Sequence, residues 1–192
     1  IYIVGGGASG MVAAIQAGTK DNEVILLEKN DRVGKKILAT GNGKCNLGNE
    51  NLSVDCYYSK NRSFVEQVLK RYDTESAISF FASLGLKIRS KNGYLYPYAE
   101  QASAVLDVLR LELEHQKIRV ETGVQITDCT PLKKKRGYLL KASDGRSYEA
   151  DRVILACGGP ASLKEGGRDG YVMLQKLGLK TYPLVPGLVQ LR

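Results

Sequence analysis

Apolar and polar positions fall into blocks whose period changes along the chain. Ile1–Val4 is a short continuous apolar run, and Val24–Leu27 is a second; each reads as a buried strand. Between them, Met11–Gly18 reads as a helix whose small face, Ala13, Ala14 and Ala17, suits close packing on a sheet, with Gly18 as its end. Ser63–Tyr72 and Thr74–Leu84 repeat apolar residues at three-and-four spacing, which predicts two amphipathic helices, the second stopped by Gly85. Leu86–Arg89 and Tyr94–Tyr96 flank the Asn92-Gly93 step, a hairpin signal that Pro97 closes. A longer helix is expected from about Glu100 to Gln116, with Ala104, Val105, Val108, Leu109 and Leu111–Leu113 inward and His115 on the surface of its last turn.

From Ile118 the period falls to two. Strands are expected at 118–121, 124–129, 138–142 and 147–150, divided by turns at Thr122-Gly123, Lys133–Gly137 and Asp144-Gly145. The first returns to the parallel sheet and the others form a meander. Asp151–Cys157 is a further buried strand opening into Gly158-Gly159-Pro160, then come a polar loop at 161–168 and a helix, Gly170–Leu177, capped by Asp169. The expected class is α/β: a Rossmann-like parallel sheet with a helical excursion and a small antiparallel β-meander. The segments are 1–60, 61–117, 118–150 and 151–192.

Composition narrows the function classes. Four cysteines at irregular spacing and one histidine give neither a disulfide framework nor a zinc-ligand pattern, so reduced thiols and no metal are expected. No run approaches eighteen apolar residues and no signal peptide precedes the first strand, so we expect a soluble cytoplasmic protein with no membrane partner. The strand at residue 1 and the apolar run at 183–192 suggest a segment of a longer protein. The charge of +8 allows attraction to phosphate-bearing partners. Its densest run, Lys133–Arg136, reads as a solvated turn, and without a recognisable module the balance is against nucleic acid.

The chemistry concentrates in Gly5-Gly6-Gly7-Ala8-Ser9-Gly10, a G-x-G-x-x-G between strand and helix, with Glu28 at the tip of the second strand. Gly5 makes the tight turn, Gly7 lets backbone approach a pyrophosphate, and Gly10 lets helix approach sheet; the acid suits a free ribose 2′-hydroxyl, as in FAD or NAD. Residues 29–46, rich in Gly, Lys and Asn, read as a second ligand-facing loop. A Walker A reading of Gly43-Lys44 fails because Leu38 stands at the first glycine and Cys45 replaces Ser or Thr. Cys45 and the alternating Tyr94, Tyr96 and Tyr98 are read as packing groups.

Lys36-Ile37-Leu38-Ala39-Thr40-Gly41-Asn42-Gly43-Lys44-Cys45-Asn46-Leu47, the Gly93–Pro97 hairpin and Gly167-Arg168-Asp169-Gly170-Tyr171 resemble the HI0933-like (BaiN-like) family of NAD(P)/FAD-dependent oxidoreductases, two-dinucleotide-binding-domain flavoproteins of which some are labelled aminoacetone oxidases. The resemblance spans nearly the whole chain. It implies FAD, with Gly5, Gly7, Ala8, Ser9 and Gly10 at the pyrophosphate, Glu28 on the adenosine ribose, Lys29 beside the adenine and the Val124 main chain at its edge. Ala156, Gly158 and Gly159 would pass the cofactor, and Lys36, Thr40, Gly41, Asn42, Gly43, Cys45 and Asn46 would line its ribityl and flavin end. Two departures from the family pattern are Gly48 and Cys157, each where a Thr is usual. The resemblance further implies flavin hydride chemistry on a small-molecule substrate, NAD(P)H as a possible electron donor, and a substrate domain and C-terminal return lying beyond this stretch. Without those parts, this stretch is expected to bind FAD weakly or not at all. An RNA-binding or RNA-modifying flavoprotein and an NAD-only dehydrogenase stand as alternatives. Neither catalytic residues nor the oligomeric state can be read from the sequence.

Overall fold

The computed structural model describes residues 1–160 and 168–184; most of the expected polar loop and residues 185–192 of the apolar run lie outside them. Four strands, β1 (Tyr2–Val4), β2 (Ile25–Glu28), β6 (Arg119–Thr122) and β10 (Val153–Leu155), form a parallel sheet in the order β10-β1-β2-β6. Tyr2 pairs with both Val153 and Ile25, so β1 runs down the middle. The chain leaves β1 toward β2 on one side and returns as β10 on the other, which opens a crevice at the carboxyl edge above β1.

The pleat sorts the core into two layers. Ile3 and Leu26 face α1 (Ala8–Ala17) and α5 (Ala102–His115), where Met11, Ala14, Leu109 and Leu113 are buried. Val4, Ile25 and Leu27 face the other way, onto Val124, Cys129, Leu140 and Met173. The second layer comprises the antiparallel sheet β7 (Ile126–Pro131), β8 (Tyr138–Ala142) and β9 (Ser147–Ala150), with α6 (Asp169–Lys176) beside it. Burying a side chain such as Met11 or Leu109 contributes about 1.5–3 kcal/mol, so both faces of a four-stranded sheet are held.

The hairpin forms as expected, β4 (Ile88–Lys91) against β5 (Tyr94–Pro97), with Asn92 at φ 54° and Gly93 at φ 81°, the pair of left-handed residues a type I′ turn requires. Several expectations are corrected. Residues 47–60, a polar stretch without periodicity and so expected to be irregular, contribute β3 (Gly48–Asn49), which pairs with β5. The loop after Glu28 contains a short helix, α2 (Lys35–Leu38), and a 3₁₀ turn, Thr40–Gly43; Ile37, buried against α5, gives that segment its reason to fold. Leu111 is exposed rather than inward. Tyr94, Tyr96 and Tyr98 share the outer side of the hairpin while Leu95 and Pro97 are buried, so they are not a packed face.

Both helices of the excursion, α3 (Arg62–Arg71) and α4 (Thr74–Ser83), are present, capped by Asn61 and Asp73 side chains. The apolar side of α3 is open: Phe64 and Val68 are exposed. His115 sits on the surface beside Glu112, 3.3 Å away, and Lys135 in the solvated turn pairs with Glu149 at 2.6 Å. Among the described residues no helix is long and apolar enough to cross a membrane.

Candidate functional site

The glycine turn has two kinds of glycine. Gly5, at φ +109°, donates its N–H to the Leu27 carbonyl (2.8 Å), which fastens the turn to the tip of β2. A Cβ on Gly5 would collide with the Ala156 carbonyl oxygen, and one on Gly10 with the Gly5 carbonyl oxygen; these two serve the packing of helix on sheet. Gly7 differs. A Cβ there would meet nothing within 4 Å, and Gly7 caps α1 without any side-chain hydrogen bond. The uncapped first turn therefore presents its free N–H groups and the positive end of the helix to open space.

Glu28 closes the other side of the turn. It is buried, 7% exposed; one carboxylate oxygen accepts from the Gly6 N–H (2.6 Å), and the other accepts from the Asn30 N–H (2.8 Å) and from the Asn30 side-chain amide. Asn30 escaped the sequence reading, although an Asn two residues past the strand-end acid was a visible signal. Gly34 donates to the Gly6 carbonyl (2.8 Å), which draws α2 toward the turn.

On the far side, Ala156 donates to the Val4 carbonyl (2.8 Å), and Gly158 takes a left-handed φ of +72°. Lys36 reaches across from α2, its Nζ donating to the Gly159 carbonyl at 2.6 Å. Cys45, buried and at φ +57°, lies two residues beyond the 3₁₀ segment, which the Thr40 hydroxyl ties to the Ile37 carbonyl (2.6 Å).

At the outer end, Lys29 pairs with Asp169 at 3.5 Å, and Val124 donates its N–H to the Glu28 carbonyl (2.9 Å). Asp169 does not cap α6 as expected: Arg168 holds the cap position without a side-chain bond, and the Asp169 carboxylate turns toward Lys29 and Gln125 instead. Cys157 packs against Gly170, and burial, with the Asp169 carboxylate adding, pushes its thiol up to about 11. Because the folded thiol keeps its proton above the ordinary value of 9, raising the pH from 9 toward 11 ionises the unfolded chain first and lowers stability. Urea titrations across that window are expected to show a downward slope that Cys157→Thr makes shallower. An unchanged slope would put its source elsewhere.

These groups surround one cavity of about 520 Å³, within the range of small-ligand sites. Gly5, Gly7, Ala8, Ser9, Glu28, Lys29 and Val124 line one part of it. Lys36, Ala156, Gly158 and Gly159 line another, and Thr40, Cys45 and Asn46 a third. Of the residues singled out from the sequence, Gly10 lies beneath the turn rather than on the cavity wall, and Asn42 and Gly43 are not on the wall either. The apolar wall, Val12, Ile37, Phe81, Val105 and Leu109, was missed: Phe81, Val105 and Leu109 read only as core at helix spacing, Ile37 lay in an expected loop, and Val12 carried no signal of its own. Among the described residues, no group of three or more His, Cys, Asp or Glu is placed to hold a metal.

Comparison with known proteins gives the family and the fold. The model of the HI0933-like protein Rossmann domain matches residues 1–192. The chain is 47% identical to the 3-dehydro-bile acid delta(4,6)-reductase of Clostridium scindens, over 100% of this chain and 47% of that protein. It is 27% identical to the ribosomal RNA dihydrouridine synthase of Escherichia coli, over 97% of this chain and 46% of that protein. The chain thus spans about half the length of the curated relatives it matches. In fold it resembles the 3-ketosteroid-delta4-(5alpha)-dehydrogenase of Rhodococcus jostii (TM-score 0.65, 15% identity, 92% of this chain and 53% of that one).

Proposed function

The chain belongs to the HI0933-like family, and from that premise we propose that it is the FAD-binding part of an oxidoreductase that moves hydride between a flavin and a small organic molecule. The observation that carries the proposal is Gly7: a glycine with open space where its side chain would be, above an uncapped helix N-terminus. Packing does not require a glycine there, whereas a pyrophosphate does.

In this reading Gly5, Gly7, Ala8 and Ser9 surround the pyrophosphate, and Gly10 supports them from below. Glu28, held by Gly6 and Asn30, accepts from the adenosine ribose hydroxyls with its remaining lone pairs. Lys29 flanks the adenine. The N–H of Val124 is already committed to Glu28, so its main-chain contact with the adenine edge falls to the carbonyl. Ala156, Gly158 and Gly159 border the middle of the cofactor. Lys36, Thr40, Cys45 and Asn46 face the ribityl and flavin end, with Gly41, Asn42 and Gly43 at its rim. The flavin supplies reversible two-electron chemistry; the chain supplies orientation and a largely apolar enclosure. The Lys36 ammonium, now on the Gly159 carbonyl, is the cation nearest that turn to favour negative charge on a ring above it.

We assign the substrate-holding part to the half of the relatives that this chain does not match, and NAD(P)H as the electron donor. The bile acid relative makes an unsaturated 3-keto compound the first substrate to try. Four free thiols suit a reducing compartment, and we place the protein in the cytoplasm. A second reading, RNA modification, draws on the ribosomal RNA relative and the charge of +8. An absorption titration distinguishes them. FAD is expected to saturate one site with flavin bands between about 300 and 550 nm while NAD does not, and, in protein joined to that substrate-holding part, an unsaturated 3-dehydro-bile acid, not RNA, is expected to reoxidise the NADPH-reduced flavin. Saturation by NAD alone would demote the cofactor assignment, and reoxidation only by RNA would reverse the substrate assignment.

A further inference from the structure

We propose that Glu100 is the positioning residue of the loop at the flavin end, a carboxylate latch that holds residues 40–46 through Lys44. The inference rests on the FAD reading for its functional meaning, and on geometry alone for the latch. The loop needs a latch because its backbone is unfavourable: Asn42 at φ 54°, Gly43 at φ 82° and Cys45 at φ 57° are all left-handed, and two of the three carry a Cβ. Within it the Cys45 N–H donates to the Thr40 carbonyl at 3.3 Å and the Thr40 hydroxyl to the Ile37 carbonyl at 2.6 Å, and Cys45 packs into the core.

Glu100 lies just before α5 and is itself left-handed, at φ 49°, an uncommon conformation for Glu that turns its side chain back over the hairpin. There three cations from two other segments converge on it. Lys44, in the middle of the loop, is 3.1 Å from one carboxylate oxygen; Arg89 and Lys91 of β4 meet the other, Lys91 at 3.5 Å. The Glu100 side chain is 19% exposed, against 44% for Lys44, and the Arg89 guanidinium lies 5.7 Å from the Tyr98 ring centroid. One half-buried anion therefore joins loop, hairpin and helix start. Lys44 is the loop's own arm to it, and Cys45, the next residue, is a wall of the cavity. Neutralising Glu100 leaves three neighbouring cations to repel one another, and the strained loop then keeps only the Thr40 hydrogen bonds and the packing of Cys45 to hold it.

The cysteines report the outcome without any cofactor. Cys45 is buried in the loop, Cys129 is buried under the meander, and Cys56 is exposed. In thiol alkylation read by mass spectrometry, Glu100→Gln is expected to speed labelling of Cys45 by roughly tenfold while Cys129 stays protected, the mark of local opening rather than unfolding. Glu100→Asp, which keeps the charge, should restore most of the protection. Added salt should speed Cys45 labelling in the wild type but not in Glu100→Gln, a dependence that packing alone would not give. FAD affinity should fall in parallel, by roughly tenfold. Lys44→Met cuts the same link from the loop side and decides the matter if Glu100→Gln does not fold. Unchanged Cys45 labelling in the folded variants, or labelling that rises in step with Cys129, overturns the latch. A wild-type protein that takes up no FAD overturns the cofactor reading and leaves the thiol comparison to decide the latch.

Discussion

Gly10→Ala is expected to cost the protein about 3 kcal/mol or more and to lower Tm by roughly 10 °C, whether or not any ligand is present. The added methyl group lands on the Gly5 carbonyl oxygen, with the Ala156 side chain 3.4 Å away on the same side. Neither α1 nor the turn can move a side chain aside, because the collision is with backbone. The helix must lift from the sheet instead. Lifting it uncovers Met11 and Ala14, both fully buried, and breaks the contact that brings the β1 turn over β10. Since native stability is of the order of 5–15 kcal/mol, such a loss is visible in a circular dichroism melt. A melt unchanged from wild type would mean that α1 does not approach the sheet as closely as the structure has it.

Gly7→Val, three residues earlier in the same motif, is expected to do the opposite: Tm within a few degrees of wild type and FAD affinity lower by roughly a hundredfold or more. Among the described residues nothing lies within 4 Å of a Cβ placed there, and the φ of −78° at this position suits any residue. What the valine fills is the approach to the first turn of α1, where the pyrophosphate is assigned. The pair separates fold from ligand within one glycine motif. A melt paired with a flavin titration reads both, and a Gly7→Val variant that binds FAD as wild type does would remove the reason for placing the pyrophosphate there.

The contrast also marks how far the sequence could be read. Strong periodic signals survived into the structure: the strand, turn and helix at the start, the Asn92-Gly93 hairpin, the period-two meander and the closing strand at Val153–Leu155 stand where pattern and turn chemistry put them, although the closing strand lies at the sheet edge with Ile154 exposed rather than buried. The separate roles that the motif gives Gly5, Gly7 and Gly10 were legible too, and packing agrees with them: a Cβ on Gly5 or Gly10 meets backbone, and one on Gly7 meets nothing within 4 Å. The segment after Glu28 looked like open loop because its four-residue helix is too short for a period; Ile37 docking on α5 makes it a helix, an effect of tertiary contact. Asp169 had the local chemistry of a cap, yet a lysine 140 positions earlier in the chain claims its carboxylate. The Glu100 cluster was invisible for the same reason. Lys44, Arg89, Lys91 and Glu100 lie too far apart in sequence for charge patterning to pair them.

The central claim is that the glycine turn and Glu28 hold the adenosine diphosphate side of FAD, and a competition titration tests it most directly. FAD is added to the protein until its fluorescence change saturates, and ADP and FMN are then tried separately as displacing ligands. The account predicts one saturable FAD site from which ADP displaces FAD at concentrations where FMN has no effect. Displacement by FMN as readily as by ADP, or the absence of any saturable FAD site, would contradict it.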